Sequence, residues 1–366
     1  MKTKHPIGIL GATGMVGQRF IQLLENHPWF EIAWLAASDR SSGKTYGEAA
    51  RWRLDTPLPE RIAKMTVSPA EPPSGSSGAP RIIFAALDAA IAREMEPKFA
   101  SAGCAVVSNS SAYRMAPNVP LVIPEINAGH LHLIEEQPSR KDSGGYMVTN
   151  PNCSTIGLAL ALKPIEERFG IEQIIVTTMQ AVSGAGYPGV PSMDILGNVV
   201  PYIGSEEEKM ESETLKLLGR LEGHAVTPLA AKLSAHCNRV AVEDGHTESV
   251  SIKLGNKRGR AVTRDEMLAA WAEFHPLRGQ GLPTAPDQPI EWADQNDRPQ
   301  PRLDRNRGKG MAVTVGRLRP CNVLDWKFTV LSHNTIRGAA GAAILNAELL
   351  ASLGKLEPVA LAAARG

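Results

Sequence analysis

Three observations predict an α/β chain. Short apolar strands alternate with helices over the first 150 residues, a glycine-rich turn follows the first strand, and beyond Asn150 the strands become longer, more alternating and more closely spaced. The first pattern implies a parallel sheet with helices on both faces. The second marks a Rossmann-like nucleotide-binding unit. The third implies an α+β unit with a mixed or antiparallel sheet.

In chain order, Ile7-Gly8-Ile9-Leu10 reads as a strand, and Val16, Phe20, Leu23 and Leu24 recur at helical spacing before Pro28. Glu31 to Ala37 is a second strand. Ile82 to Ala86 is a third, followed by a helix from about Asp88, and Ala105 to Val107 is a fourth. The stretch from Glu71 to Pro80 is rich in Pro, Gly and Ser and reads as an exposed loop. Tyr146 to Thr149 is a strand and Ile156 to Leu162 a helix. Ile171 to Val182 is a long strand, Arg239 to Leu254 holds two strand-like runs, and Met311 to Val315 and Trp326 to Leu331 are later strands. Thr335 to Leu353 is helical again.

Composition narrows the function. The chain has 366 residues, enough for two domains, with 39 Lys plus Arg against 38 Asp plus Glu. A net charge of +1 argues against a chain-wide nucleic-acid surface, and 43% hydrophobic residues argue against disorder. No apolar run reaches the roughly 18 residues of a membrane helix, and no cleavable leader is evident. The four cysteines are far apart and lack zinc spacing, so no metal is predicted. A reducing cytoplasm suits them.

Gly8, Gly11, Gly14 and Gly17 fall at every third position where the first strand turns into the first helix. Glycines there permit a tight turn and let backbone amides approach a pyrophosphate at the positive end of the helix. About 20 residues on, where the second ribose is read, stand Ser38, Asp39, Arg40 and Ser41. Asp39 would suit a ribose hydroxyl, whereas Ser38, Arg40 and Ser41 would suit a 2′-phosphate. The donors favour NADP(H).

Cys153 lies in Asn150-Pro151-Asn152-Cys153-Ser154-Thr155, between a strand and a helix. A helix N-terminus favours thiolate, the form that attacks a carbonyl, so a low thiol pKa is expected. Cys104, Cys237 and Cys321 read as buried small hydrophobes. Among nine histidines, His246 follows an Asp-Gly turn and can project from a rigid element as the acid/base partner.

Taken together, GATGMVGQRF, ASDRSSGK, SNSSAYRM, NPNCSTIGL, MQAVSGAGYPGVPSMD, GSEEEKM, NRVAVEDGHTESV and NTIRGAAGAAILNAELL span Gly11 to Leu350. The chain in these stretches closely resembles the aspartate-β-semialdehyde dehydrogenase family, in its archaeal/fungal-like branch. The resemblance implies a dinucleotide-binding domain over residues 1–150, completed by a C-terminal helix at 335–366, and a catalytic and dimerisation domain over 151–334. It implies reversible NADPH-dependent reduction of L-aspartyl 4-phosphate to L-aspartate 4-semialdehyde with release of phosphate, toward lysine, threonine and methionine. It implies a homodimer or homotetramer acting on a small molecule, with neither nucleic acid nor membrane as partner.

Matched to the family, Cys153 is the nucleophile, His246 the acid/base and Gln180 the residue positioning the reacting group. Arg239 grips the substrate carboxylate, Glu206 the amine, and Lys209 and Arg114 the phosphate. The Glu206-Glu207-Glu208 run leaves the glutamate open by one position. Gly11, Thr13, Gly14, Met15, Val16, Ser38, Arg40, Ser41, Ser183, Gly184 and Asn334 match cofactor contacts. Arg40, Arg114, Lys209 and Arg239 are expected to converge on one cationic cleft in a near-neutral chain. A malonyl-CoA reductase-like enzyme of the same ancestry is the alternative; it would need a seat for an adenine nucleotide rather than for phosphate.

Overall fold

The computed structural model describes residues 4–72 and 80–356, so most of the Pro/Gly/Ser loop and the end of the C-terminal stretch lie outside the described residues. The first sheet contains β1 (His5–Leu10), β2 (Phe30–Ala37), β3 (Val67–Pro69), β4 (Ile82–Ala85), β5 (Ala105–Ser108) and β6 (Tyr146–Thr149). Its order is β3-β2-β1-β4-β5-β6 and every pairing is parallel. Helix α1 (Met15–Leu24) turns Phe20, Ile21 and Leu24 onto this sheet, as the helical spacing of apolar residues predicts. Helix α2 (Ala89–Ser101) follows β4. The short strand β3 was not legible because three residues carry too little periodicity.

The second sheet has the order β10-β7-β11-β14-β13-β12. Its strands are β7 (Ile171–Gln180), β10 (Lys232–Arg239), β11 (His246–Leu254), β12 (Ile290–Ala293), β13 (Val313–Pro320) and β14 (Trp326–Ser332). A separate hairpin pairs β8 (Arg220–Glu222) with β9 (Ala225–Thr227). The large sheet is mixed: β10 with β7 and β12 with β13 are parallel, and the other pairs are antiparallel. Helices α3 (Cys153–Phe169), α4 (Glu206–Leu217) and α5 (Arg264–Ala272) share its core, where Ile156, Met210 and Trp271 meet Ile174, Val176, Val250 and Phe328. On β7 the alternate residues Ile175 and Met179 are exposed.

Two expectations about boundaries are corrected. Arg239 ends a strand rather than beginning one; the strand starts at Lys232, where an alternation of polar and apolar residues hid it. The segment from Thr335 is not one continuous helix. A wide π-type turn, Ile336–Ala340, precedes α6 (Gly341–Ser352). Ile344, Leu345, Leu349 and Leu350 of α6 pack with Ile7, Phe20, Phe84 and Val107 in the core of the first sheet. Arg337 in the π turn makes a fully buried two-pronged pair with Glu125, both contacts at 2.8 Å.

Candidate active site

Register brings the site residues together. Gln180 ends β7 and is paired with Arg239, which ends β10, so both side chains leave the same face of the sheet. Across the other edge of β7, Thr247 opposes Met179, which sets His246, the first residue of β11, beside Gln180. Cys153 opens α3, directly above this corner. Asn152 caps that helix, its Oδ1 accepting the Ser154 and Thr155 amides at 2.9 and 3.2 Å. Cys153 Sγ and His246 Nε2 are 3.2 Å apart.

The histidine is fully buried, and its Nδ1 accepts the backbone N–H of Ala181 at 3.0 Å. Burial, with Arg239 and His333 nearby, depresses its pKa to about 3. Cys153 departs from the sequence expectation. Burial, reinforced by the Glu206 carboxylate, pushes its thiol up to about 12, outweighing Arg114, Arg239 and its own backbone amide, which pull it down. The helix terminus alone is too weak to offset removal from water. Cys104 and Cys237 are buried as expected, but Cys321 is only partly so, in a turn where it accepts the Leu324 amide.

Around the sulfur stand cations with countercharges. The Arg239 guanidinium donates to the Ala181 carbonyl at 2.7 Å. Arg114 pairs with Glu213 at 3.0 Å and donates to the Asn109 carbonyl. Lys209 lies 3.8 Å from Glu206. Of the glutamate run, Glu206 is the buried one, accepting from Asn152 Nδ2 at 2.8 Å; Glu207 accepts the Cys237 amide and Glu208 is exposed. Arg114, Lys209 and Arg239 therefore converge, but Glu206 and Glu213 share the cleft, and Arg40 sits apart on the exposed turn after β2. Both carboxamide atoms of Gln180 are buried without a partner, as a group awaiting a ligand would be.

Three residues were missed in the sequence. Glu213 not only pairs with Arg114 but accepts the Asn152 amide at 2.7 Å, so it ties the cap of the Cys153 helix to Arg114. Its spacing of seven from Glu206 puts both on one face of α4, a signal that was there to find. Gly338 packs so tightly that a Cβ there would fall 2.8 Å from Cys153 Cβ. Glu248, two residues after His246, is fully buried with neither oxygen partnered, and burial holds its carboxyl well above the usual range.

A dinucleotide has a fitting cradle. Gly11 adopts φ +84°, and a Cβ there would fall 2.3 Å from the Ala86 carbonyl; one at Gly17 would fall 2.4 Å from the Gly11 carbonyl. Thr13 and Gly14 form the turn, and the first amides of α1, at Met15 and Val16, are not capped by a side chain. Ser38 and Ser41 close the turn after β2 that carries Arg40. Asn334 donates to Ser183 Oγ at 2.8 Å and accepts the Gly245 amide, while Ser183 donates to Asp244. Arg19 of α1 reaches toward Asp244 at 3.9 Å, linking the glycine turn to this network. A Cβ at Gly184 would press on His246 and the Arg239 guanidinium.

Comparison with known proteins decides the family. Residues 6–134 match the model of the semialdehyde dehydrogenase NAD binding domain, and residues 162–337 that of the semialdehyde dehydrogenase dimerisation domain. The aspartate-semialdehyde dehydrogenase of Methanothermobacter thermautotrophicus is 53% identical over 347 residues, covering 94% of this chain and 98% of that one.

The chain belongs to the aspartate-semialdehyde dehydrogenase family.

A second family member, from Saccharomyces cerevisiae, is 46% identical over 363 residues, covering 96% of this chain and 98% of its own. The crystal structure of the aspartate semialdehyde dehydrogenase of Candida albicans with NADP superposes with a TM-score of 0.88 at 43% identity, over 96% of this chain and all of that one. Archaeal and fungal family members thus stand among the relatives, as the sequence motifs imply. The pairing of a parallel Rossmann-like sheet with a mixed second sheet is the fold these proteins share with this chain.

Proposed function

We propose that this chain catalyses the reversible NADPH-dependent conversion of L-aspartyl 4-phosphate to L-aspartate 4-semialdehyde and phosphate, through a thioester on Cys153. The observation that carries the reading is Cys153 at a helix N-terminus, 3.2 Å from His246 and flanked by Arg114 and Arg239. The bound cofactor supplies a hydride. Gly11, Thr13, Gly14, Met15 and Val16 hold its pyrophosphate; Ser38, Arg40 and Ser41 hold the 2′-phosphate; Ser183, Gly184 and Asn334 line its nicotinamide end.

Cys153 attacks the acyl carbon and phosphate departs. Arg239 takes the substrate carboxylate as a two-pronged partner, Glu206 the ammonium, and Lys209 with Arg114 the phosphate. Gln180, with both amide atoms free, positions the reacting carbonyl, and His246 serves as the acid/base for the sulfur and the developing oxyanion. Residues 1–150 with the helix from 335 form the cofactor domain and 151–334 the catalytic one. The exposed Ile175 and Met179 on the open face of the second sheet, with the match to a dimerisation model, support a homodimer or a dimer of dimers. No described helix is long and apolar enough to cross a membrane. The four free cysteines suit a reducing cytoplasm, where this reading places the enzyme.

The test supplies L-aspartate semialdehyde, NADP and phosphate and follows NADPH formation. Phosphate-dependent turnover supports the reading. Turnover only with an acyl-CoA in the reducing direction overturns it in favour of the malonyl-CoA reductase-like alternative.

A further inference from the structure

The two cations assigned to phosphate come from different halves of the fold. Lys209 stands on α4, which packs in the core of the second sheet. Arg114 stands on the segment that leaves β5, in the first sheet. From Ser110 to Val119 that segment pairs with no strand. Among the described residues its backbone–backbone bonds are local ones: the Ala116 amide donates to the Tyr113 carbonyl at 3.1 Å and the Val119 amide to the Ala116 carbonyl at 3.4 Å. A loop so loosely tied does not by itself fix a guanidinium to a fraction of an ångström.

One buried side chain ties it down: Lys216, in the last turn of α4. Its ammonium donates to the Arg114 carbonyl at 2.6 Å, the Ala116 carbonyl at 3.1 Å and the Val119 carbonyl at 3.3 Å. An ammonium has three N–H donors and no acceptor, so this one is saturated within the protein and has none left for a substrate. The carbonyls of Arg114 and Val119 have no other partner among the described residues. One turn earlier on the same helix, Glu213 accepts from the Arg114 guanidinium at 3.0 Å. Helix α4 thus grips Arg114 twice, its main chain through Lys216 and its side chain through Glu213. The Arg114 Nε is buried without a partner, which leaves a donor for a ligand.

We infer that Lys216 is a positioning residue: it holds Arg114 in register with Lys209 and thereby sets the affinity for phosphate, without touching the substrate. Lys209, Glu213 and Lys216 lie at i, i+4 and i+7, on one face of the helix. The spacing of the two phosphate cations is therefore set by a rigid helix, rising roughly 1.5 Å per residue, rather than by the loop. Lys209, in contrast to Lys216, is partly exposed, with Glu206 at 3.8 Å. The inference rests on the activity proposed above and on the phosphate role given there to Arg114.

The experiment compares Lys216→Met, Arg114→Ala and the double variant in phosphate-dependent NADPH formation, reading the KM for phosphate and the KM for NADP separately. Methionine keeps the apolar stem and removes the three donors. Lys216→Met should raise the phosphate KM about tenfold or more, in keeping with a displacement of under about 1 Å, and leave the NADP KM within about threefold. Arg114→Ala should raise the phosphate KM at least as much. The double variant should exceed Arg114→Ala by no more than about twofold, because a residue that acts through Arg114 then has nothing to act on. A merely structural lysine would raise both KM values together, or add its full effect to that of Arg114→Ala. Either result overturns the inference, as does an unchanged phosphate KM in Lys216→Met beside a raised one in Arg114→Ala. A wild-type phosphate KM in Arg114→Ala would instead strike the phosphate role of Arg114, and the inference with it. A wild-type enzyme without turnover would strike the proposed activity.

Hydrogen exchange on the free enzyme reads the tether without substrate. The peptide covering residues 109–120 should exchange about fivefold faster or more in Lys216→Met, while peptides of β5 and α4 keep their wild-type rates; unchanged exchange overturns the tether. Should Lys216→Met fail to fold, Lys216→Arg keeps the buried charge, but a planar fork cannot converge on three carbonyls from one nitrogen. That variant should raise the phosphate KM about threefold or more, and a wild-type value overturns the inference.

Discussion

Replacing Gly338 with alanine tests whether the π turn before α6 sets the position of the nucleophile. A Cβ at 338 would stand 2.8 Å from Cys153 Cβ and 3.0 Å from both its Cα and its carbonyl oxygen. Carbon atoms in contact sit roughly 3.5–4.0 Å apart, so the 2.8 Å approach must open by about 0.7 Å or more. Neither side can yield by rotating a side chain, because the atoms in the way are the backbone and Cβ of Cys153. The other side is anchored by the buried Arg337–Glu125 pair one residue away. Displacements near 1 Å cost on the order of 100-fold in rate, while overpacking costs about 1–3 kcal/mol of stability. Gly338→Ala should therefore lower kcat by tens- to a hundred-fold, with the drop in Tm a minor effect. Gly129→Ala is the control, since a Cβ there meets nothing within 4 Å. The assay is phosphate-dependent NADPH formation at saturating substrate. A Gly338→Ala enzyme within about threefold of wild type would refute the claim that this contact holds Cys153 in place.

Further outcomes follow from the same geometry. Glu213→Gln leaves the buried Arg114 charge unmatched, so it should cost about 3 kcal/mol in urea unfolding and raise the KM for phosphate more than that for NADP; an unchanged phosphate KM would contradict the link from Glu213 to Arg114. With its thiol pushed up to about 12, Cys153 of the free enzyme should be alkylated by iodoacetamide at a rate that climbs about tenfold per pH unit to pH 10. A plateau near neutrality would instead mean a preformed thiolate. Burial raises the pKa of Glu248 in the folded state, so the stability it contributes is full below the ordinary carboxyl pKa of 4.5 and is lost as pH rises toward the folded value. Glu248→Gln should gain stability relative to wild type as pH rises from 5 to 8, by up to about 1.4 kcal/mol per pH unit; a constant Tm difference across that range would count against a neutral Glu248.

Much of this was legible in the sequence. The parallel sheet announced itself through periodicity, because β4 and β5 are buried along their whole length, and β1 and β2 toward their C-terminal ends, so that they read as short apolar runs. Cys153, Gln180, Arg239 and His246 fall in dense motifs; strand register places the last three at one corner, and the helix start brings Cys153 to it. What escaped depends on partners distant in sequence. Glu213 looks like one more surface acid on a polar helix until Asn152 and Arg114 arrive beside it, 61 and 99 residues away. Gly338 sits in a run of small residues whose purpose appears only when Cys153 packs against it. The thiol pKa was misjudged because a helix terminus is visible in sequence, whereas the depth of burial and the field of Glu206 are properties of the assembled site.

The central claim is a covalent thioester on Cys153, and trapping it is the most direct measurement. Enzyme mixed with aspartyl phosphate in the absence of reduced cofactor should release one phosphate per active site in a burst. Intact-mass and peptide analysis should then find an aspartyl adduct on the Cys153 peptide, labile to hydroxylamine, and the Cys153→Ala enzyme should show neither. A stoichiometric burst that persists in Cys153→Ala, or an adduct on another residue, would contradict the account.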